Sequence, residues 1–400
     1  MRAAAKSLLP RSPLACALAA AAAFLLWQAL AVHFLYGGHW TALFYTGDRA
    51  SLPPALAGRT YLWPQSDGYD GQYYRLVAHA PLLQRETVAA LGSEGWRYRR
   101  ILVPALSWLL AAGRPGLIDS CYIAVVAAFV FAGVWWLAAY AKLGGAPAAW
   151  GLLVLAVPAT LISMQRLTID VALVSLCAGL VYYQQRGSAG GIAAVLAAAC
   201  LVRETGALLV AAACVHALLG RRRLRVLLFA ACALPALAWN LFVAARLTAL
   251  QQYSAAPLAV PAWMFREPVI GIVRAIFHPP TYPYPRWKEA VAQAADSLAL
   301  VGVLLALALA VTWRPGKRTM LAWAAAVLFA GLTVTLSAPG VWVDINGWAR
   351  PISPLYLFLA LRTLSEGRWW TLSPLLLADL RLGLQLQAEP VGVIRALLSG

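Results

Sequence analysis

Apolar runs of about 20 residues recur along nearly the whole 400-residue chain, and few folds can accommodate them. A run of that length crosses the hydrocarbon core of a bilayer as an α-helix, which satisfies its own backbone hydrogen bonds. Composition agrees: 62% of the residues are hydrophobic and 12% are charged, against roughly 25% charged in a soluble domain. The expected fold class is therefore an all-α polytopic membrane protein. An excess of 32 Lys and Arg over 15 Asp and Glu does not signal nucleic acid here. The basic residues sit in short clusters between apolar runs, as the positive-inside rule asks of cytoplasmic loops.

Threading the chain follows that charge rule. Arg2, Lys6 and Arg11 precede an apolar run over 14–35 that exceeds the ~7–15 residues of a signal-peptide core, so it reads as an uncleaved first helix. Residues 36–100 form a long first extracytoplasmic loop. Residues 101–112 are too short to span and read as an interfacial or re-entrant helix, and 118–141 cross. Runs over 147–164, 168–183, 191–202 and 205–219 then alternate across the membrane. This puts Lys142, Arg186 and the 221–225 basic cluster in the cytoplasm, and Asp170, Arg203 and Glu204 outside with Asp67 and Asp70. The competing threading makes 101–112 a span and 191–219 one long helix with Arg203 and Glu204 inside it. After 226–245 comes a second outer loop, 246–290. Runs over 292–313, 320–336 and 352–361 complete about ten crossings. Asp344 and Arg350 fall in a short outer loop before the last. Residues 1–370 thus form a single transmembrane domain. In the tail, 371–400, residues 380–387 alternate apolar and polar with a strand-like period.

The first loop holds the densest chemistry: Ser66-Asp67-Gly68-Tyr69-Asp70-Gly71-Gln72-Tyr73-Tyr74-Arg75. Asp67 and Asp70 are candidate catalytic carboxylates. Tyr69, Gln72, Tyr73 and Tyr74, with Trp63 nearby, offer the aromatic faces and amides that suit a polyol. Asp-Gly pairs are also plain turn formers. Charges beside apolar runs form a second set, since burying one in a membrane costs ~2.5–3.5 kcal/mol. Arg166, Arg203 and Arg350 are candidate phosphate ligands through the guanidinium fork, with Asp170 and Glu204 beside them. A structural ion pair or an interfacial anchor is the plainer account of each. The six cysteines all lie in apolar segments and no zinc pattern occurs. No motif requires a cofactor, and a divalent cation, Mg or Mn, is left open.

Together these features resemble the GT-C superfamily of integral membrane glycosyltransferases, which use polyprenyl-phosphate-linked sugars. Tyr69-Asp70-Gly71-Gln72-Tyr73-Tyr74-Arg75-Leu76-Val77-Ala78 is similar to the aromatic-Asp-x-x-x-Tyr-x-x-Ile-Ala element of the branch that includes the GPI-anchor mannosyltransferases. Ile101-Leu102-Val103-Pro104 resembles the segment that follows it. Thr168-Ile169-Asp170, Leu201-Val202-Arg203-Glu204 and Arg350-Pro351 resemble that family's outer-face acid, its basic donor-binding residue and its late arginine. The chain departs in having Tyr69 where that branch often has Trp, and in offering two acids.

The resemblance implies a GT-C-like bundle of about ten helices, in a bacterial inner membrane with its site facing outward. Its partners would be a polyprenyl-phosphate sugar donor, a glycan, lipid or protein acceptor, and membrane lipid. Asp70, or Asp67 in its place, would take the acceptor proton in an inverting displacement, and Arg203 and Arg350 would hold the departing phosphate. A transporter or flippase, or a polymerase or ligase of lipid-linked glycans, are the rival functions. The first calls for pseudo-repeated halves, which the sequence lacks, and the second for essential residues in a large late loop, where 246–290 holds few acids.

Overall fold

The computed structural model describes residues 12–250 and 267–399. Arg2, Lys6 and Arg11, and residues 251–266 of the loop expected over 246–290, lie outside the described residues. Within them the chain is helical, with no strand beyond one isolated bridge between Gly47 and Trp63.

The first helix, α1 (Pro13–Phe34), opens on Ser12, whose hydroxyl accepts the Ala15 amide at 3.1 Å. Pro13 follows, its fixed φ suited to a first turn. At 22 residues α1 is about 33 Å long. Cys16, Ala17, Ala20, Phe24 and Ala31 face the protein, whereas Leu14, Leu18, Leu25 and Leu26 face outward, as a lipid-facing stripe would. The first loop is folded into short helices, among them α2 (Asp70–His79) and a 3-10 segment over Gly92–Arg99. Leu102–Leu110 is a helix of nine residues, too short to span.

The bundle proper begins with α3 (Ile118–Leu143), which packs on α1. The run over 147–164 is not straight. Pro158, lacking an amide, starts a new helix, α4 (Pro158–Arg166), bent by 64° from the segment before it. Next come α5 (Asp170–Gln185), α6 (Ala189–Val202) and α7 (Gly206–Leu219). Extended backbone at Arg203 separates α6 from α7, so 191–219 is two helices and not one. Because α5 and α6 are antiparallel neighbours, Asp170 at the start of one and Arg203 at the end of the other share one end of the bundle. Four helices among the described residues are long and apolar enough to cross a membrane: α1, α3, Arg223–Ala249 and α8 (Arg286–Thr312). A fifth results if the bent pair counts as one span, and α6, α7 and α9 (Met320–Thr335) are apolar but shorter.

The late helix departs from expectation. α10 (Ile345–Glu366) starts at Asp344, which caps it by accepting the Asn346 amide at 3.1 Å. Arg350 therefore lies in the second turn of a helix, not in a loop before one. Pro351 and Pro354 stand inside α10 and leave the carbonyls of Gly347 and Arg350 without helical partners. The helix is buried from Trp348 through Thr363 and packs on α4, α5, α8 and α9, at the centre of the bundle.

The tail is helical too. Residues expected to alternate like a strand lie in α11 (Ser373–Leu386), followed by α12 (Ala388–Ser399). Arg381 of α11 is 2% exposed, pairs with Asp296 of α8 at 2.5 Å and donates to the Tyr282 hydroxyl at 2.9 Å. Docking along α8 outweighs a local period carried by so few residues.

Candidate functional site

Two glycines shape the loop ahead of α2. Gly68 holds φ at 79°, a region that disfavours a side chain. A Cβ on Gly71 would stand 2.2 Å from the Arg166 carbonyl oxygen and 2.8 Å from that of Phe44. The Gln72 amide, 3% exposed, accepts from the Gly47 amide at 3.2 Å and donates to the Asp67 carbonyl at 2.9 Å. Gln72 thus braces the loop. These contacts fix Asp70 in the first turn of α2, where the helix dipole favours a carboxylate.

Asp70 is held by two arginines from distant parts of the chain, Arg97 at 2.9 Å and Arg350 at 2.7 Å. Burial pushes its carboxyl up, but the two guanidiniums overcome this and hold it well below the usual carboxylate range. Arg350 also donates from Nε to Asp170 at 2.7 Å and from Nη1 to the Tyr69 hydroxyl at 3.1 Å. The other Asp170 oxygen pairs with Arg203. Burial pushes the Tyr69 hydroxyl up to about 12, so it stays neutral and donates to the Asn346 carbonyl at 3.3 Å. Glu204 pairs with Arg100 at 3.0 Å, and Arg100 donates to the Tyr74 hydroxyl at 2.9 Å. Loop, α5, the α6–α7 turn and α10 thus meet in one network.

That network walls a cavity of about 180 Å³. Its lining joins the charged Asp70, Arg97, Arg99, Arg100, Arg203, Glu204 and Arg350 to the apolar Leu332, Leu336, Val341 and Pro351. Five arginines face it against two carboxylates, so it suits an anion. Among the described residues, Arg97 Nη1, Arg203 Nε and Thr205 Oγ1 are buried without a hydrogen-bond partner. Buried donors of this kind call for an acceptor. A divalent cation fits less well: among the described residues no three His, Cys, Asp or Glu side chains converge, and Asp70 and Asp170 are bridged by Arg350.

Other sequence candidates lie elsewhere. Asp67 is at the surface, paired with the exposed Arg49 at 3.1 Å, and lines a separate polar cavity with Tyr73 and Glu94. Tyr73 stands between the two cavities, 4.6 Å beneath the Arg97 guanidinium. Arg166 stacks on Tyr45 at 3.6 Å and does not line the arginine-rich cavity. Tyr74 is fully buried, and Trp63 stacks on Tyr45 at 4.4 Å while donating to the Ala42 carbonyl at 3.1 Å. Tyr74 thus has no face left for a sugar, and one face of the half-buried Trp63 is taken by Tyr45.

Arg97, Arg99 and Arg100, at the end of the loop over 36–100, are not among the sequence candidates. A signal was present, since a cluster of arginines in a loop expected on the outer side runs against the positive-inside rule. Models of known protein families, curated proteins and solved structures were all compared with the chain, and none matches it.

Proposed function

We propose that the chain is a membrane glycosyltransferase taking its sugar from a polyprenyl-phosphate donor. In this reading about ten crossings, α5, α6 and α7 among them, place the cavity at the extracytoplasmic face. The observation that carries it is the joining, in one cavity, of unsatisfied arginine donors, a carboxylate between two guanidiniums, and an apolar wall. A phosphodiester with an isoprenoid tail has the matching halves: charge for Arg97, Arg203 and Arg350, hydrocarbon for Leu332, Leu336 and Val341.

The pairing of Asp70 matters to the chemistry. A carboxylate held far below its usual range is a poor base. A donor phosphate competing for Arg97 and Arg350 weakens both of its ion pairs, and its proton affinity rises. Asp70 is thereby readied as a base only when donor is present. An acceptor hydroxyl then attacks the anomeric carbon and gives its proton to Asp70. The bond from that carbon to the phosphate oxygen breaks, and the lipid phosphate leaves with the electron pair toward the arginines.

The test is a glycosidic-bond assay with purified protein, a panel of polyprenyl-phosphate sugars and membrane-extracted acceptors. Transfer should occur with one donor and be lost in Asp70→Asn. If wild type consumes no donor of the panel, or if Asp70→Asn and the Asp67→Asn, Asp70→Asn double variant retain full transfer, the reading is wrong.

A further inference from the structure

A second cavity, of about 300 Å³, lies on another side of the bundle, between α1, α4 and α11. Trp27, Leu161, Met164, Leu382 and Leu386 give it an apolar lining. Its lining includes the exposed Gly383, where a Cβ would meet nothing within 4 Å. Glycine weakens a helix interior, and no turn or close backbone approach requires it at this point of α11. What the missing side chain does is leave the cavity open.

Unsatisfied polar atoms gather around this space. Among the described residues, Asp379 Oδ1 and Gln165 Oε1 line it without a hydrogen-bond partner. Gln28, fully buried, donates to the carbonyl of the lining residue Met164, and its own Oε1 has no partner. The Tyr356 hydroxyl, 1% exposed and also unpartnered, is close enough to Asp379 to interact electrostatically with it. Three of these four groups are oxygen acceptors, so the complementary ligand brings a hydroxyl donor. No arginine or lysine lines the cavity, so it offers a phosphate no cation.

We infer that this cavity binds a neutral lipid through a headgroup hydroxyl, the acyl or prenyl chain lying along the apolar wall. This is a site apart from the arginine-rich cavity, without its cations, and it stands whether or not the chain is a glycosyltransferase.

Two photoreactive lipids decide it: a diacylglycerol with a diazirine in one acyl chain, and the phosphatidic acid with identical chains. Each is added to the full-length protein in nanodiscs, and labelled peptides are mapped by mass spectrometry. Diacylglycerol should label α11 and α4 around the cavity in preference to phosphatidic acid. Gly383→Leu should abolish that labelling, because its side chain enters the open space. Leucine also favours the helix, so loss of fold does not confuse the result. Asp379→Leu should weaken labelling about fivefold to tenfold, the effect of one lost hydrogen bond. Equal labelling by both lipids, or labelling no stronger than that of Leu14 and Leu18 on the outer face of α1, would mean surrounding membrane lipid only. Undiminished labelling in Gly383→Leu would equally overturn the inference.

Discussion

Arg350, from the second turn of α10, sits 2.7 Å from Asp70 at the start of α2, and the same guanidinium reaches Asp170 at 2.7 Å. One planar fork thus ties the catalytic candidate to the bundle. Everything proposed for Asp70 depends on that tie, because it sets both the carboxylate's position and its proton affinity.

Replacing Asp70 by Asn therefore does two things. As the base it should take turnover down by about 10²–10⁴-fold. It also strips the charge from between Arg97 and Arg350, and removing one partner of a buried pair costs about 3–5 kcal/mol. Yield and thermal midpoint should fall along with activity. Turnover per folded molecule, measured by active-state titration after size exclusion, separates the two effects. A loss that tracks folded protein alone would make Asp70 structural.

The same pair sets a pH dependence. The Asp70 carboxyl lies below its unfolded value of about 3.9. A depressed carboxylate contributes stability that is fully present above the unfolded value and is lost as pH falls through the folded one. The gap in melting temperature between wild type and Asp70→Asn should be flat from about pH 7 to pH 5 and should narrow in stronger acid. A gap that widens in acid would contradict the ion pairs seen here.

Arg203 tests the anion site. Lysine keeps the charge but has no counterpart to Nε, the atom left without a partner beside the cavity. Losing one charge-assisted hydrogen bond, about 1.5–3 kcal/mol, should weaken donor phosphate binding roughly 10–100-fold. Titration of a polyprenyl phosphate against Arg203→Lys measures this directly. Unchanged affinity would confine Arg203 to its pairing with Asp170.

How much of this could be read from the sequence depended on contrast. Asp70, Asp170, Arg203, Glu204 and Arg350 stand out because charge is rare in this chain, and the structure brings all five together. Arg97 and Arg100 were overlooked because they lie in a polar loop, where charge carries no insertion cost. Tyr74 and Trp63 misled for the converse reason. Aromatic residues in a loop are as useful for its own core as for a sugar: Tyr74 is buried whole, and Trp63 stacks on Tyr45. Arg350 was taken for a loop residue because Pro351 marks a helix start in most sequences. Here the proline stands inside a helix whose other contacts hold it together. The fold of the tail rests on Arg381 reaching Asp296, a contact between distant residues that no local period reveals.

Gly71 offers the sharpest test of how Asp70 is positioned. Its Cα packs so closely on α4 that an added methyl would meet the Arg166 and Phe44 carbonyl oxygens at 2.2 and 2.8 Å. Both are backbone atoms, which cannot swing aside as a side chain does. Gly71→Ala should therefore cost about 1–3 kcal/mol or more, as overpacking does. It should also push α2 away from α4 and carry Asp70 from Arg350. A displacement near 1 Å in a catalytic group can cost about 10²-fold in rate, so activity should fall further than stability. Gly58→Ala is the matched control, in the same loop with nothing within 4 Å of the new methyl and with φ at −79°. There alanine should be neutral or stabilising by about 0.4–1 kcal/mol. Thermal unfolding of both variants in one detergent gives the comparison, and equal behaviour of the two would mean that the loop does not seat on α4 as described.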